Sequence, residues 1–237
     1  MNLYILAEGR QTERRIYPAW IGVLSPSLKQ VECLSAIDKN NYYFISGEGY
    51  PRMIDVTLIN AIKDIHDNPK FTDFWVVLDS EGEDVEARRE LVRNKIDSSG
   101  IDNISHCEVN IIVQNPCIET WGLGNRVIIS PNKLTESFLD YYEHYDVSSN
   151  DPEGMGKPLA YDGSIAKYHE SYLKSMLALR NAMYTKKNPA ALMEPSYLQQ
   201  LISRAYAEDG HIPSFRHFHT LATQLEAKAK MLENRVA

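Results

Sequence analysis

The sequence predicts an α/β fold, in which a mostly parallel sheet is flanked by helices and followed by a helical C-terminal third. Short apolar runs typical of buried strands alternate with segments of helical periodicity roughly every 30 residues over the first half of the chain. After about residue 127 the strand pattern ends and helical periodicity continues. Alternating strands and helices favour parallel pairing through right-handed crossovers.

The first strand is predicted at residues 2–7, where Leu3 to Leu6 form a continuous apolar run. It ends at Glu8 and Gly9. Residues 11–24 then have helical spacing, with Thr12 as the candidate N-cap and Pro18 expected to bend or shorten the helix.

The rest of the N-terminal half repeats this alternation. We predict a strand at 41–46, a helix with apolar positions from Ile54 to Ile65, a strand at 71–78, a helix opened by Glu83, Asp84 and Glu86, and a strand at 108–113. The strand at 71–78, with the sequence FTDFWVVL, is the strongest of the set.

The C-terminal part begins with a loop predicted at residues 148–158, which are rich in Gly, Pro, Ser and Asp. Helices are predicted at residues 165–183, 195–208 and 214–234. The last helix has an apolar stripe from Phe218 to Leu232, so it either docks within the chain or forms a partner interface, including a homo-oligomer. We therefore predict an α/β domain at 1–130 and a helical region at 131–237.

Composition excludes several classes of protein. With 43% apolar and 24% charged residues, the 237-residue chain can bury a core. The net charge of −7 argues against coating nucleic acid through bulk positive charge, although a basic strip or bound cations can still hold phosphates. The three cysteines show neither a disulfide framework nor zinc-site spacing. We expect a cytoplasmic protein without a membrane span.

Acidic residues follow two of the predicted strands. Glu8 ends the first strand, and Asp79 ends the strongest one, with Glu81 two residues later. Since adjacent parallel strands lie about 4.8 Å apart, such carboxylates can share one hard cation, Mg²⁺ or Mn²⁺. Acids are also common in solvated loops and at helix N-termini, which is the simpler interpretation of Glu83, Asp84 and Glu86.

Three blocks of sequence resemble a known family. The stretch from Leu6 to Glu13 (LAEGRQTE) looks like the EGxTE opening of TOPRIM-type nucleases, especially the RloB-like and overcoming-lysogenization-defect branch. Residues 76–81 (VVLDSE) are similar to that family's strand ending in DxD, and residues 115–123 (NPCIETWGL) to its third block. Compared with the family's EGxTE motif, this opening has one additional residue between Gly9 and Thr12. The second acid of its DxD-like pair is a glutamate, Glu81, where the family has aspartate.

The resemblance implies a TOPRIM-like sheet, a metal-dependent site that cleaves phosphodiester bonds, and a role in antiviral defence beside an ABC- or AAA-type ATPase. Glu8 then matches a metal ligand or general base, Asp79 and Glu81 match the metal-binding pair, and Glu119 matches the acid of the third block. The substrate would be DNA or tRNA.

Cationic residues complete the predicted site. By resemblance to the same branch, a later lysine would lie near the scissile phosphate, and we choose Lys167, with Lys174 as its rival. Arg10, Arg14 and Arg15 surround the start of the first helix and can bind phosphates, and a strip on the third helix can extend them. That strip contains Arg88, Arg89 and Arg93.

Two hypotheses follow. In the first, the chain is a Mg²⁺- or Mn²⁺-dependent nuclease controlled by an ATPase partner. In the second, it is a non-catalytic TOPRIM-like interaction subunit that docks on such a partner, which the altered spacing after Gly9 favours.

Overall fold

A five-stranded parallel sheet confirms the predicted fold class. The computed structural model describes residues 1–100, 104–130 and 134–234. The strands are β1 (Asn2–Ala7), β2 (Lys29–Val31), β3 (Asn41–Ser46), β4 (Asp73–Asp79) and β5 (Glu108–Gln114), in the order β2-β3-β1-β4-β5. β1 pairs with β3 from Asn2 opposite Asn41, and with β4 from Leu3 opposite Asp73.

The helices are α1 (Glu13–Leu24), α2 (Leu58–Asp67), α3 (Val85–Asp97), α4 (Ile118–Gly122), α5 (Glu136–His144), α6 (Ile165–Ala178), α7 (Ala190–Met193), α8 (Pro195–Ala205) and α9 (Pro213–Asn234). A π-helical turn, Met53–Thr57, precedes α2. No helix in the described part of the chain is long and apolar enough to cross a bilayer.

The chain divides into two compact units. The first contains Met1–Leu78, Asp84–Val113 and the chain from Phe218 onward, and the second contains Asp79–Glu83 and Gln114–His217. The predicted boundary between residues 130 and 131 touches residues 131–133, which lie outside the described ranges. That boundary stays a prediction.

In the first unit, side chains that alternate along the strands build a core on each face of the sheet. Tyr4 and Leu6 belong to a buried cluster with residues of α2 and α3, including Leu58 and Val92. On the other face, Trp75 makes an edge contact with Phe218 of α9. Both faces are covered, which explains why the strands are apolar runs.

The last helix docks within the first unit through its predicted apolar stripe. Phe218 contacts Trp20 of α1, and Leu225 is only 2% exposed. Ser25, after α1, donates a hydrogen bond to the carbonyl of Ala222. Leu232, at 37% exposure, lies outside this core. Intramolecular docking is therefore confirmed for most of the stripe, while self-association stays a prediction.

In the second unit, short helices pack around α4 and α6. A Cβ at Gly122 would lie 3.0 Å from a methyl carbon of Leu173 of α6 and 3.1 Å from one of Leu192 of α7, so any other residue would require these leucines to shift by a few tenths of an ångström. Trp121 makes an edge contact with Phe215 at the start of α9, and Phe138 of α5 with Tyr172 of α6. Aromatic contacts are therefore part of this core.

Several local predictions need correction. The sequence did not predict β2, because its three residues are polar or partly exposed. It did not predict α5 either, because the buried face of that helix has one residue, Phe138. Pro18 does not shorten α1, which continues to Leu24. Thr12 does precede α1, but its dihedral angles are helical and its side chain makes no capping bond. The N-cap of α3 is Asp84, whose carboxylate accepts a hydrogen bond from Ala87 N.

Candidate functional site

Strand order identifies the point on the sheet where ligands are expected. The chain leaves β1 toward one edge of the sheet, to β2, and leaves β4 toward the other edge, to β5. β1 and β4 are neighbours, so their crossovers diverge between their carboxyl ends, and open α/β sheets bind ligands at such a point. Glu8 follows β1, and Asp79 is the last residue of β4.

The segment after β1 holds two acids. Glu8 is partly exposed; its amide donates to the carbonyl of Val77 at 2.9 Å, and its Oε1 accepts from Tyr50 N at 3.2 Å. A Cβ on Gly9 would lie 1.7 Å from Oε2 of Glu13, and Glu13 is only 6% exposed. The sequence predicted no role for Glu13, the first residue of α1.

Two backbone hydrogen bonds hold the turn after β4. In the second unit, Ser80 N donates to the carbonyl of Gln114 at 2.9 Å, and Glu81 N to that of Pro116 at 3.0 Å. Ser80 is fully buried, Asp79 is partly buried and Glu81 is exposed. Glu81 has φ of 52°, in the left-handed region that costs a non-glycine residue about 1–2 kcal/mol. Sequence alone gave no sign of this conformation.

The predicted metal ligands are all carboxylates, the donors that Mg²⁺ and Mn²⁺ prefer. Over residues 1–100, 104–130 and 134–234, no group of three or more His, Cys, Asp or Glu side chains is placed to hold a metal ion. The donor chemistry thus fits a hard cation, but a preformed cage is not seen in that part of the chain. Its formation by Glu8, Asp79 and Glu81 stays a prediction.

Glu119 is buried in the second unit beside a lysine that the sequence analysis did not select. The carboxylate is 2% exposed and accepts a hydrogen bond of 2.8 Å from the hydroxyl of Tyr184. Lys186 Nζ lies 3.9 Å from Glu119 Oε1 and 3.8 Å from Glu170 Oε2. Burial lowers the pKa of Lys186, but the charges of Glu119, Glu170 and Asp79 outweigh it and raise that pKa. Lys186 therefore stays charged among these acids.

The two lysines that the sequence favoured lie on α6. Lys167 is exposed in the first turn of α6, where its backbone amide donates to the capping Ser164. Lys174 forms an i,i+4 pair with Glu170. Lys186, whose side chain is 55% exposed, lies in a short non-helical stretch after α6, where no periodicity places a lysine next to Glu119, so sequence reasoning missed it.

A buried hydrogen-bonded chain connects α4 with α6. His169 is fully buried; its Nε2 lies 3.0 Å from the Met155 carbonyl and its Nδ1 2.9 Å from Thr120 Oγ1. Because a carbonyl only accepts, Nε2 carries the proton and Nδ1 accepts from Thr120. Burial lowers the His169 pKa to about 4. Burial also raises the pKa of the adjacent Cys117 thiol, which argues against a thiolate nucleophile.

The predicted phosphate-binding arginines are surface residues of the first unit. Arg10 donates to the Glu48 carbonyl at 3.0 Å, whereas Arg14 and Arg15 are exposed. Arg14 also lines a cavity of about 400 Å³ beside β3. Of the α3 strip, Arg88 is buried and lies over the Tyr50 ring, and two others, Arg89 and Arg93, pair with Glu86.

Comparison of the chain with models of protein families, with curated proteins and with solved structures found no significant match. Its function must therefore be argued from its own residues.

Proposed function

We propose that this protein is a cytoplasmic, divalent-metal-dependent nuclease that cleaves phosphodiester bonds in nucleic acid. The observation that supports it most is that Glu8 follows β1 and Asp79 ends β4, the neighbouring strand, where the crossovers of the sheet diverge. Ligand sites of open α/β sheets form there, and carboxylates bring the donors for a hard cation.

Glu8, Asp79 and Glu81 would hold Mg²⁺ or Mn²⁺. A bound divalent ion lowers the pKa of water and neutralises charge that develops on a phosphoryl group. It would also let a chain of net charge −7 approach a polyanion. Against the effect of burial, the charge of Glu119 raises the pKa of Lys186, and the Lys186 ammonium would bind a phosphate oxygen.

The partner in this proposal is an ABC- or AAA-type ATPase that controls cleavage within an antiviral system. An acidic chain with few predicted contacts to nucleic acid binds it weakly by itself, so a partner that adds binding surface would increase its activity. Co-expression and pull-down with such an ATPase test this part of the proposal.

The decisive test incubates purified protein with plasmid DNA and with tRNA in Mg²⁺ or Mn²⁺, alone and with the ATPase. We expect cleavage that falls about 100-fold or more in Glu8→Gln and in Asp79→Asn, because each loses a metal ligand. Glu83→Gln is the matched control: it removes an exposed acid of the same turn and should leave the rate within about twofold.

Calorimetric titration with Mn²⁺ tests the metal site without substrate. Wild type should bind, and the Glu8→Gln/Asp79→Asn double variant should not. Absence of cleavage under every condition, with ATPase binding intact, would overturn the nuclease and favour the interaction subunit.

Lys186 has its own test. Lys186→Met should reduce kcat/KM about 10-fold or more, since an ammonium that binds the reacting phosphate is lost, while Lys187→Met should have little effect. Equal losses in both variants would show that these lysines act only through general surface charge.

A further inference from the structure

A chain of polar side chains in the second unit ends at the turn that carries Asp79 and Glu81. Ser214, at the start of α9, donates to Glu153 Oε1 from its hydroxyl at 2.6 Å and from its amide at 2.9 Å. The Trp121 indole in turn donates to the Ser214 hydroxyl at 2.6 Å. On the other side of the carboxylate, Asn115 Nδ2 donates to Glu153 Oε2 at 3.4 Å.

Asn115 continues the chain to Ser80. The Ser80 hydroxyl donates to Asn115 Oδ1 at 3.0 Å and accepts from Gly82 N at 3.4 Å. Ser80 is fully buried between the two acids of the turn. One continuous set of hydrogen bonds therefore connects Trp121, Ser214, Glu153, Asn115 and Ser80.

The direction of each hydrogen bond requires an ionised Glu153. Oε1 already accepts two hydrogen bonds from Ser214, and Oε2 faces the amide nitrogen of Asn115, which can only donate. A proton that binds Glu153 would therefore go to Oε2, where it would meet another donor. A 180° rotation of the Asn115 amide removes this conflict.

We propose that Glu153 is a positioning residue whose proton occupancy is transmitted through the Asn115 amide to Ser80 and so to the Asp79–Glu83 turn. With Glu153 ionised, Ser80 donates to Asn115 and accepts from Gly82. With Glu153 protonated, the rotated Asn115 donates to Ser80 Oγ, and the Ser80 hydroxyl proton must turn to another acceptor. The turn thus has two hydrogen-bond arrangements.

The surroundings of Glu153 make this exchange accessible near neutral pH. Burial raises its pKa to about 7 against the opposing hydrogen bonds from Ser214, and the charge of Asp151 also raises it. The residue is partly exposed, so protons can reach it.

Other titratable groups belong to the residues that flank Glu153 in the chain, contact those residues, or are hydrogen-bonded to such a contact. They are Asp151 on the same turn, Tyr145 before it, His169 of α6, Arg204 of α8 and His211 before α9. His169, with a pKa of about 4, does not titrate near pH 7. His211 accepts a hydrogen bond from Arg204 through Nδ1, and its replacement is therefore a control in the experiment below.

The test is a pH titration by ¹H–¹⁵N NMR of the full-length protein without metal or substrate. Trp121→Phe assigns the Trp121 indole resonance, and the Gly82 amide reports on the turn. We expect both resonances to shift with one midpoint near pH 7. Glu153→Gln should abolish both shifts, and His211→Gln should retain them.

Ser80→Ala separates the two ends of the chain. It should abolish the Gly82 shift while the Trp121 shift remains, because the carboxyl still titrates beside Ser214. The proposal is overturned if the Gly82 amide of wild type does not follow the Trp121 titration, or if either titration persists in Glu153→Gln.

The importance of this turn for catalysis rests on the proposed function, but the NMR result does not. A nuclease without the coupled shifts would refute only the relay, and coupled shifts in a protein without cleavage would refute only the nuclease. If both hold, the pH profile of kcat should lose its component near pH 7 in Glu153→Gln while KM changes little.

Discussion

At Glu81 the backbone conformation favours glycine, whereas the proposed function requires a carboxylate. Glu81 has a left-handed backbone, at φ of 52°, that glycine adopts without cost. A glutamate there is less stable than a glycine would be. In the proposed function, the carboxylate of Glu81 is the reason for retaining it.

Substitution of Glu81 tests this conflict. Glu81→Gly should be more stable than Glu81→Ala by about 1 kcal/mol in urea unfolding, because alanine keeps the strain and glycine removes it. Both variants should lose cleavage, since both lack the carboxylate. At Glu83, which has an ordinary φ, the same pair should show no preference for glycine. An equal effect at both positions would contradict the explanation from strain.

At Gly9 the requirement for glycine is steric, because the Glu13 carboxylate occupies the position of a Cβ. Since a Cβ would lie 1.7 Å from Glu13 Oε2, Gly9→Ala must displace a buried carboxylate. We expect a loss of about 1–3 kcal/mol in wild type and a much smaller loss in a Glu13→Ala background. Urea unfolding of the four proteins of this double-mutant cycle measures the coupling. Additive losses would mean that Glu13 does not set the requirement for glycine.

At the scale of elements, two buried titratable groups give the second unit opposite responses to pH. The pKa of His169 on α6 is lowered to about 4, so its contribution to stability is full above pH 6.5 and is lost as the pH falls toward 4. The pKa of Glu153 is raised to about 7, so its contribution is full below pH 4.5 and is lost as the pH rises toward 7.

Replacement of one of these two groups should therefore leave a pH dependence of stability that is set by the other. Between pH 4 and 7, the stability of Glu153→Gln should rise with pH more steeply than that of wild type, and the stability of His169→Gln should rise less or fall. At about 1.4 kcal/mol per pKa unit, each contribution is at most about 3.5 kcal/mol. Urea midpoints across this range measure both slopes, and parallel curves for the three proteins would contradict the assignment.

Elements also differ in how far their sequences determine them. β1, β3 and β5 could be predicted within one residue because each is a run of apolar residues bounded by turns. β2 could not, since three polar or partly exposed residues carry no strand pattern until the edge of β3 is present to pair with them. α5 is a similar case, with a single buried residue.

For the whole molecule, net charge limits how nucleic acid can bind. A chain of charge −7 with four candidate phosphate-binding cations, three arginines and Lys186, should make few ionic contacts. We predict that the affinity for a short DNA duplex has a log–log salt slope of about 4 or less in magnitude. Arg14→Gln and Arg15→Gln should each reduce that slope by about 1.

Fluorescence anisotropy in the Asp79→Asn background measures this slope without cleavage. Arg93→Gln is the control, because Arg93 is paired with Glu86 at 2.6 Å. A slope of the magnitude expected for six or more contacts would show that cations other than these arginines dominate binding.

The sequence by itself determined the α/β class, the order of the main elements and the placing of Glu8 and Asp79 at strand ends, because these follow from hydrophobic periodicity and chain order. Only the tertiary structure decided that Lys186 rather than Lys167 lies beside Glu119, that Glu13 fills the space at Gly9, and that Glu153 is connected to Ser80. Each of these depends on segments far apart in the chain or on an irregular backbone, and neither leaves a periodic signal in the sequence.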